Sequence, residues 1–230
     1  MTELQRKNIQ RILVWLLIPA VAVCAFAFRV QRLEERPMHT DEAVHTIKAG
    51  TVLEEGKYVY DPHEYHGPTI YYAALPFIWL SGARTLAETS EWQFRIVPVT
   101  FGVGLILLLL ILTESLGSWE ALCAAILTAI SPAMVYYSRY YIQEMLFVFF
   151  IFCAIASGWR YTRSGRIGWA LMCGASLGLM LATKETSVLS YAAMCFALPP
   201  TLVWARLRDG AYPNIRGAIW PWHAVASALL

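Results

Sequence analysis

Two adjacent carboxylates, Asp41 and Glu42, stand in the stretch His39-Thr40-Asp41-Glu42, and His45 follows one helical turn later. Carboxylates beside an imidazole are groups that take a proton from a hydroxyl or hold a divalent cation. Spacing of four puts Asp41 and His45 on one helix face. A second acid, Glu144, closes the stretch Ser138-Arg139-Tyr140-Tyr141-Ile142-Gln143-Glu144. Both clusters follow apolar runs, and ionisable groups at a membrane surface cost desolvation energy and tend to mark chemistry or transport. The same residues also suit structural roles. Thr40 is a good N-cap, Asp41 and Glu42 fit a first helical turn, Arg139 suits anchoring at headgroups, and Glu144 suits the start of the helix that begins at Met145.

Two further segments carry polar groups between apolar runs. Residues 58–68 run Tyr-Val-Tyr-Asp-Pro-His-Glu-Tyr-His-Gly-Pro. Asp61-Pro62 and Gly67-Pro68 are turn chemistry, while His63, Glu64 and His66 offer phosphate contacts or metal ligands, though in no strong zinc spacing. Thr183-Lys184-Glu185-Thr186-Ser187 interrupts two apolar runs. Lys184 suits a lipid phosphate, an ion pair with Glu185, or snorkelling to the interface.

The elements that must position these groups are membrane helices. The chain is 58% hydrophobic and 15% charged, against about 25% charged residues in a soluble domain. Net charge is only +2, and no basic block with interleaved aromatics suggests nucleic acid. A helical crossing takes about 20 mostly apolar residues. The pattern predicts spans over 12–28, 95–113, 119–137, 145–161, 168–183, 187–205 and 217–230. The first is a retained anchor, because Phe26-Ala27-Phe28 is a poor cleavage site. The last is short. A helix stopping in mid-membrane would leave carbonyls unsatisfied, so the expectation is a longer protein continuing past it. The five cysteines lie in apolar runs without C-x-x-C spacing and read as small buried hydrophobes.

Arg6, Lys7 and Arg11, then Arg160, Arg163 and Arg166, then Arg206, Arg208 and Arg216 fall on one side if the spans alternate. The positive-inside rule makes that side, with the amino terminus, cytoplasmic. The expected fold is therefore all-α: a polytopic transmembrane bundle in the plasma (inner) membrane, one embedded domain over residues 1–230. Residues 29–94 form a long first extracytoplasmic loop bearing short interfacial helices. Within it Thr69–Leu80 is too short to span comfortably and suits the interface, with Tyr71, Tyr72 and Trp79 at headgroup depth. Asp41 and Glu144 then converge on one extracytoplasmic site.

Taken in order, the D-E pair in a long outer loop, H-G-P before an aromatic stretch, R-I-V-P opening a span, S-R-Y-Y-I-Q-E after a span, and A-T-K-E-T resemble the GT-C class of membrane glycosyltransferases. The likeness is to the protein O-mannosyltransferase and aminoarabinose-transferase group, within it to proteins associated with flippase activity, and it covers nearly all of residues 12–205. It implies a GT-C-like fold and transfer of a sugar from a polyprenyl-phosphate donor to a protein, lipid or glycan acceptor. It makes Asp41 the catalytic acid of the first loop, Glu42 its neighbour in the motif, and Glu144 the second-loop acid. His66 and Lys184 become phosphate contacts, although His-Gly-Pro replaces the Lys-Pro-Pro of aminoarabinose-transferase relatives.

The implied reaction is an inverting displacement, with Asp41 as base and an already anionic lipid phosphate leaving. Arg139, Lys184 and His66, with His45 nearby, are the substrate-binding candidates. A divalent metal is a candidate cofactor, with Asp41, His66 and Glu144 as candidate ligands. The competing expectation is a non-catalytic subunit that binds polyprenyl lipid, or a flippase-associated component. Transport itself fits poorly, because the interiors of the spans are almost uncharged.

Overall fold

The structure is a computed structural model that describes residues 3–60, 63 and 66–209. Glu64 and the run expected at 217–230 lie outside the described residues. All regular elements among the described residues are helices, and there is no sheet. In order they are α1 (Glu3–Arg29), α2 (Thr40–Glu55), α3 (Thr69–Leu80), α4 (Glu91–Leu108), α5 (Thr113–Leu116), α6 (Ser118–Ile130), α7 (Pro132–Tyr137), α8 (Glu144–Ser164), α9 (Ile167–Thr183) and α10 (Ser187–Asp209). The chain divides into two compact units, Met1–Tyr60 with Pro68–Phe149, and Asp61–Gly67 with Phe150–Leu230.

Among the described residues, three stretches are long and apolar enough to cross a membrane: Asn8–Arg29, Glu91–Leu116 and Glu144–Ser164. They contain the spans expected at 12–28, 95–113 and 145–161. The span expected at 119–137 is instead two helices, α6 and α7, divided at Ser131-Pro132. Proline pushes the preceding residue out of the α region and has no N–H to donate, and Ser131 accordingly sits at φ −56°, ψ 124°. The spans expected at 168–183 and 187–205 correspond to α9 and to part of α10. Of the five cysteines, Cys153 and Cys173 are buried as expected, whereas Cys24, Cys123 and Cys195 are exposed on their helices, where lipid rather than protein would cover them.

In the first unit α1 packs on α4 and α6. Val14, Ile18, Ala22, Ala25 and Arg29 are all buried. Their three- and four-residue spacing makes one continuous helix face. In lipid this burial gains little from the hydrophobic effect, so close packing and polar clamps hold such helices together. Gly102 on α4 is one close approach, since a Cβ there would lie 2.6 Å from Ser138 Cβ.

Arg29 is the clamp. Its guanidinium donates to the carbonyl oxygens of Thr128 and Ala129 at 3.3 and 3.0 Å, and its Nε donates to Ser138 Oγ at 2.8 Å. Thr128 is four residues before Pro132, so its carbonyl is the one that proline leaves without an intrahelical donor. Arg29 fills that vacancy from a different helix and ties the end of α6 to the segment that carries Tyr140 and Tyr141.

One end of α3 is held by Tyr141 and the other by the start of α4. Tyr141 donates its hydroxyl to Ile70 O at 3.2 Å, and its ring packs 5.3 Å from Phe94. At the far end Gln93 Nε2 donates to Ser81 Oγ at 2.8 Å. Tyr72 and Trp79 are exposed, whereas Tyr71 is fully buried. Its ring is needed inside, against His45.

Arg29→Met retains bulk and removes the donors. It leaves buried carbonyl groups unsatisfied, a cost of about 1–3 kcal/mol, and the expected result is a lower unfolding temperature for the detergent-purified protein.

Candidate functional site

Glu42 is fully buried on the first turn of α2 and both its carboxylate oxygens are engaged. Arg95 Nε donates to Oε1 at 2.9 Å and Arg95 Nη2 to Oε2 at 3.0 Å. Arg36 Nη2 donates to Oε2 at 2.7 Å. The backbone N–H of His39 reaches Oε2 at 3.1 Å and that of Tyr141 reaches Oε1 at 3.0 Å. Burial alone would raise the Glu42 pKa. The hydrogen bond from Arg95, those from the Tyr141 and His39 backbones, and the charge of Arg95 outweigh it and hold the carboxyl below the usual carboxylate range. Glu42 thereby joins the first loop, the start of α4 and the segment before α8.

The helix start differs from expectation. His39, not Thr40, is the N-cap of α2; its ring accepts from Asp41 N–H while Glu42 accepts from His39 N–H, a reciprocal capping box. The preference for Thr40 rested on residue type alone, and Glu42, anchored by Arg95, sets the register one residue earlier.

Asp41, next along the turn, has the opposite environment. Its side chain is 62% exposed. Tyr140 Oη lies 3.5 Å from Asp41 Oδ2. The Tyr140 ring is held by Tyr136 at 5.6 Å, His39 at 5.8 Å and the Arg36 guanidinium at 5.1 Å. Burial first, then the charges of Asp41 and Glu42, push the Tyr140 phenol up to about 12. It therefore stays protonated and presents a donor to Asp41. Two adjacent carboxylates are thus divided into one locked inside and one presented outside.

The remaining expected residues fall as follows. Glu144 opens α8, three residues beyond Tyr141, and is half-buried. The Asp41–Glu42 pair and the 138–144 segment therefore do come together. His45 is only 4% exposed. Its Nδ1 lies 3.2 Å from Tyr71 Oη and 3.4 Å from Gln143 Nε2. That placement makes it a core residue joining α2, α3 and the 138–144 segment. Arg139 donates Nη2 to Gln31 O at 2.6 Å.

In the second unit His66 and Lys184 are brought side by side as an isolated antiparallel bridge, and Gly67 N–H donates to Thr183 O at 3.3 Å. A Cβ at Gly67 would lie 1.9 Å from the Ala182 carbonyl oxygen. This contact gives a physical reason for His-Gly-Pro at the place where Lys-Pro-Pro was the comparison. Among the described residues no group of three or more His, Cys, Asp or Glu side chains could hold a metal ion.

The family model described as dolichyl-phosphate-mannose-protein mannosyltransferase matches residues 73–226. The chain belongs to that family. It is a membrane glycosyltransferase of the GT-C group, whose family uses a lipid-linked mannose donor. No curated protein matches the chain. The family match contains Arg95, Arg139, Tyr140, Tyr141, Glu144 and Lys184 but begins after Asp41, Glu42 and His66.

Sequence reasoning missed Arg95, Arg36, Tyr140 and Gln143 as site builders. Arg95 carried a usable signal: an arginine inside an apolar span needs a buried acid, and Glu42 is the acid that meets it.

Replacing Glu42 by Ala leaves Arg95 buried without its counter-charge, and is expected to cost about 3–5 kcal/mol. Replacing both by apolar residues should recover part of that. The pH dependence has a definite sign. Because the folded Glu42 pKa is depressed, its stabilisation is complete above the unfolded value of about 4.3. It is lost as pH falls through the lower folded value. Thermal unfolding against pH should show this acid-side loss in the natural protein and a smaller one in Glu42→Gln.

Proposed function

We propose that the chain transfers mannose from a polyprenyl-phosphate carrier to a protein hydroxyl by direct inverting displacement, with Asp41 as the base. The observation that carries this reading is the division of labour between Asp41 and Glu42. An exposed carboxylate is mounted on a turn that a fully buried, five-fold bonded neighbour immobilises. A base must be free to accept a proton and fixed in position while it does so.

The acceptor oxygen attacks the anomeric carbon of mannose while the bond from that carbon to the carrier phosphate oxygen breaks. The proton of the acceptor hydroxyl passes to Asp41. The carrier leaves as a phosphate that is already anionic, so no protonating acid is needed on that side. Tyr140, protonated and 3.5 Å away, steadies the Asp41 carboxylate before transfer. Glu144 supplies a second acid suited to hydrogen-bonding the sugar hydroxyls. His66 and Lys184 form a basic pair, within the second unit, suited to a phosphate oxygen.

The site end of the first unit faces away from the cytoplasm in this reading. Arg11 on α1 meets Glu114 on α5 at 3.0 Å. The amino terminus of α1 and the end of the second span therefore share the opposite end, the one the positive-inside rule makes cytoplasmic. A 12-residue α3, about 18 Å long and tied at one end to Tyr141 and at the other to Gln93, lies at the interface rather than crossing about 30 Å of hydrocarbon. That keeps Asp41 and Glu144 on one side.

Asp41→Asn preserves shape and removes the base. The expected loss is about 10²–10⁴-fold in kcat for mannose transfer from polyprenyl-phosphate mannose, with an unchanged unfolding temperature because Asp41 is exposed. Transfer at the natural rate by Asp41→Asn would refute the base. A protein that binds the carrier yet transfers nothing would favour the non-catalytic lipid-binding subunit.

A further inference from the structure

Four arginines, Arg32, Arg36, Arg95 and Arg139, line one cleft of about 420 Å³ in the first unit, together with Leu33, Val135 and Tyr136. The acids that meet them are Glu42, fully buried, and the exposed Glu35, 3.5 Å from Arg32. Positive charge is thus in excess. Arg32 also holds the one positive φ of a non-glycine residue among those described, 56°, a strained conformation at the lip of the cleft. Val135 lines a second cavity as well, an apolar groove of about 510 Å³ between α1 and α6. The α1 wall is the stripe Leu17, Val21, Cys24 and Phe28, and Ile126 and Ile130 of α6 face it. Val135 is common to both linings, so the cationic cleft and the apolar groove lie next to each other.

We propose that this cleft and groove bind an anionic phospholipid of the surrounding bilayer, with the headgroup phosphate on Arg32, Arg36 and Arg139 and an acyl chain along α1. The groove is depth-matched to one leaflet. From Leu17 to Phe28 is about 16 Å of helix, about half of the 30 Å hydrocarbon core. The groove wall is continuous with the helix faces that meet lipid. Planar guanidinium groups favour phosphate, and their excess charge favours a net-negative headgroup over a zwitterionic one. The sugar carrier is the poorer occupant. A carrier phosphate must present its sugar to Asp41, yet the cleft meets Tyr140 on its face through Arg36, while Asp41 meets the hydroxyl. Arg36 also donates to Glu42, so a bound headgroup would brace the network that positions Asp41.

The assay is lipid retention by the full chain, read by native mass spectrometry after release from nanodiscs. The nanodiscs contain phosphatidylglycerol, phosphatidylcholine alone, or phosphatidylglycerol with a trace of polyprenyl phosphate. The expected result is retention of one phosphatidylglycerol, at least tenfold less phosphatidylcholine, and no displacement by the carrier. Arg32→Gln removes a head contact and Cys24→Trp fills the groove. Each should lower retention about tenfold, with thermal unfolding reporting that both variants remain folded. Equal retention of the two phospholipids, displacement by the polyprenyl phosphate, or unchanged retention in both variants would overturn the proposal. The readout involves no sugar, so a chain that retains phosphatidylglycerol but transfers no mannose would sink the glycosyltransfer mechanism and leave this site standing.

Discussion

Both oxygens of one buried carboxylate organise the first unit. Glu42 is wholly enclosed, and a buried charge survives only when its counter-charge and its hydrogen bonds are complete. Arg95 supplies the counter-charge from α4, Arg36 and His39 supply donors from the first loop, and Tyr141 supplies a backbone N–H from the segment before α8. These donors come from parts of the chain up to 99 residues from Glu42. None could move far without exposing the carboxylate to a partnerless interior. Such a pair is weak evidence for net stability, since apolar residues of equal volume do as well. What it supplies is position: the turn on which Asp41 stands has one place to be.

The rest of the unit follows the same rule, that lipid-embedded helices are fastened by polar groups rather than by burial alone. Arg29 answers the carbonyl that Pro132 strands and draws Ser138 to α1. Ser138 in turn donates to Met134 O at 2.6 Å, which finishes α7. His45, Tyr71 and Gln143 make a third polar knot joining α2, α3 and the 138–144 segment. Three separate knots therefore converge on a stretch of six residues, 138–143. A loop between two membrane helices is ordinarily the mobile part of such a protein; here three sets of polar contacts hold it.

Much of this was legible in the residues, and the misses have physical causes. Hydropathy located the long spans because about 20 apolar residues in a row have few other uses. The acid clusters stood out because charge near lipid is costly. The roles of neighbours within a cluster were not legible, because Asp41 and Glu42 differ only in which one meets Arg95, and that depends on a residue 53 positions away from Glu42. The same distance effect hid the N-cap at His39. Pro132 was visible but was read through, because the apolar run continues on both sides of it and a break there shows only in the backbone angles of Ser131. Tyr71 was assigned to the interface by its type, whereas its partner His45 determined its burial. The resemblance made His66 and Lys184 phosphate contacts; that they lie side by side, with a glycine pressed on the Ala182 carbonyl, appears only in three dimensions.

The family match begins at residue 73, past the Asp41 turn, so likeness by itself identifies a helical frame without that turn. The link between them is physical. Residues 73–226 include Arg95 and Tyr141, and those two donate three of the five hydrogen bonds on Glu42. A frame that buries an arginine at the head of α4 and aims a backbone N–H from residue 141 needs an acid from the preceding loop to complete it. Glu42 meets that need, and Asp41 is carried to the Tyr140 hydroxyl as its neighbour on the same helical turn. Asp41 is therefore placed by the demands of the matched frame, although it lies outside it.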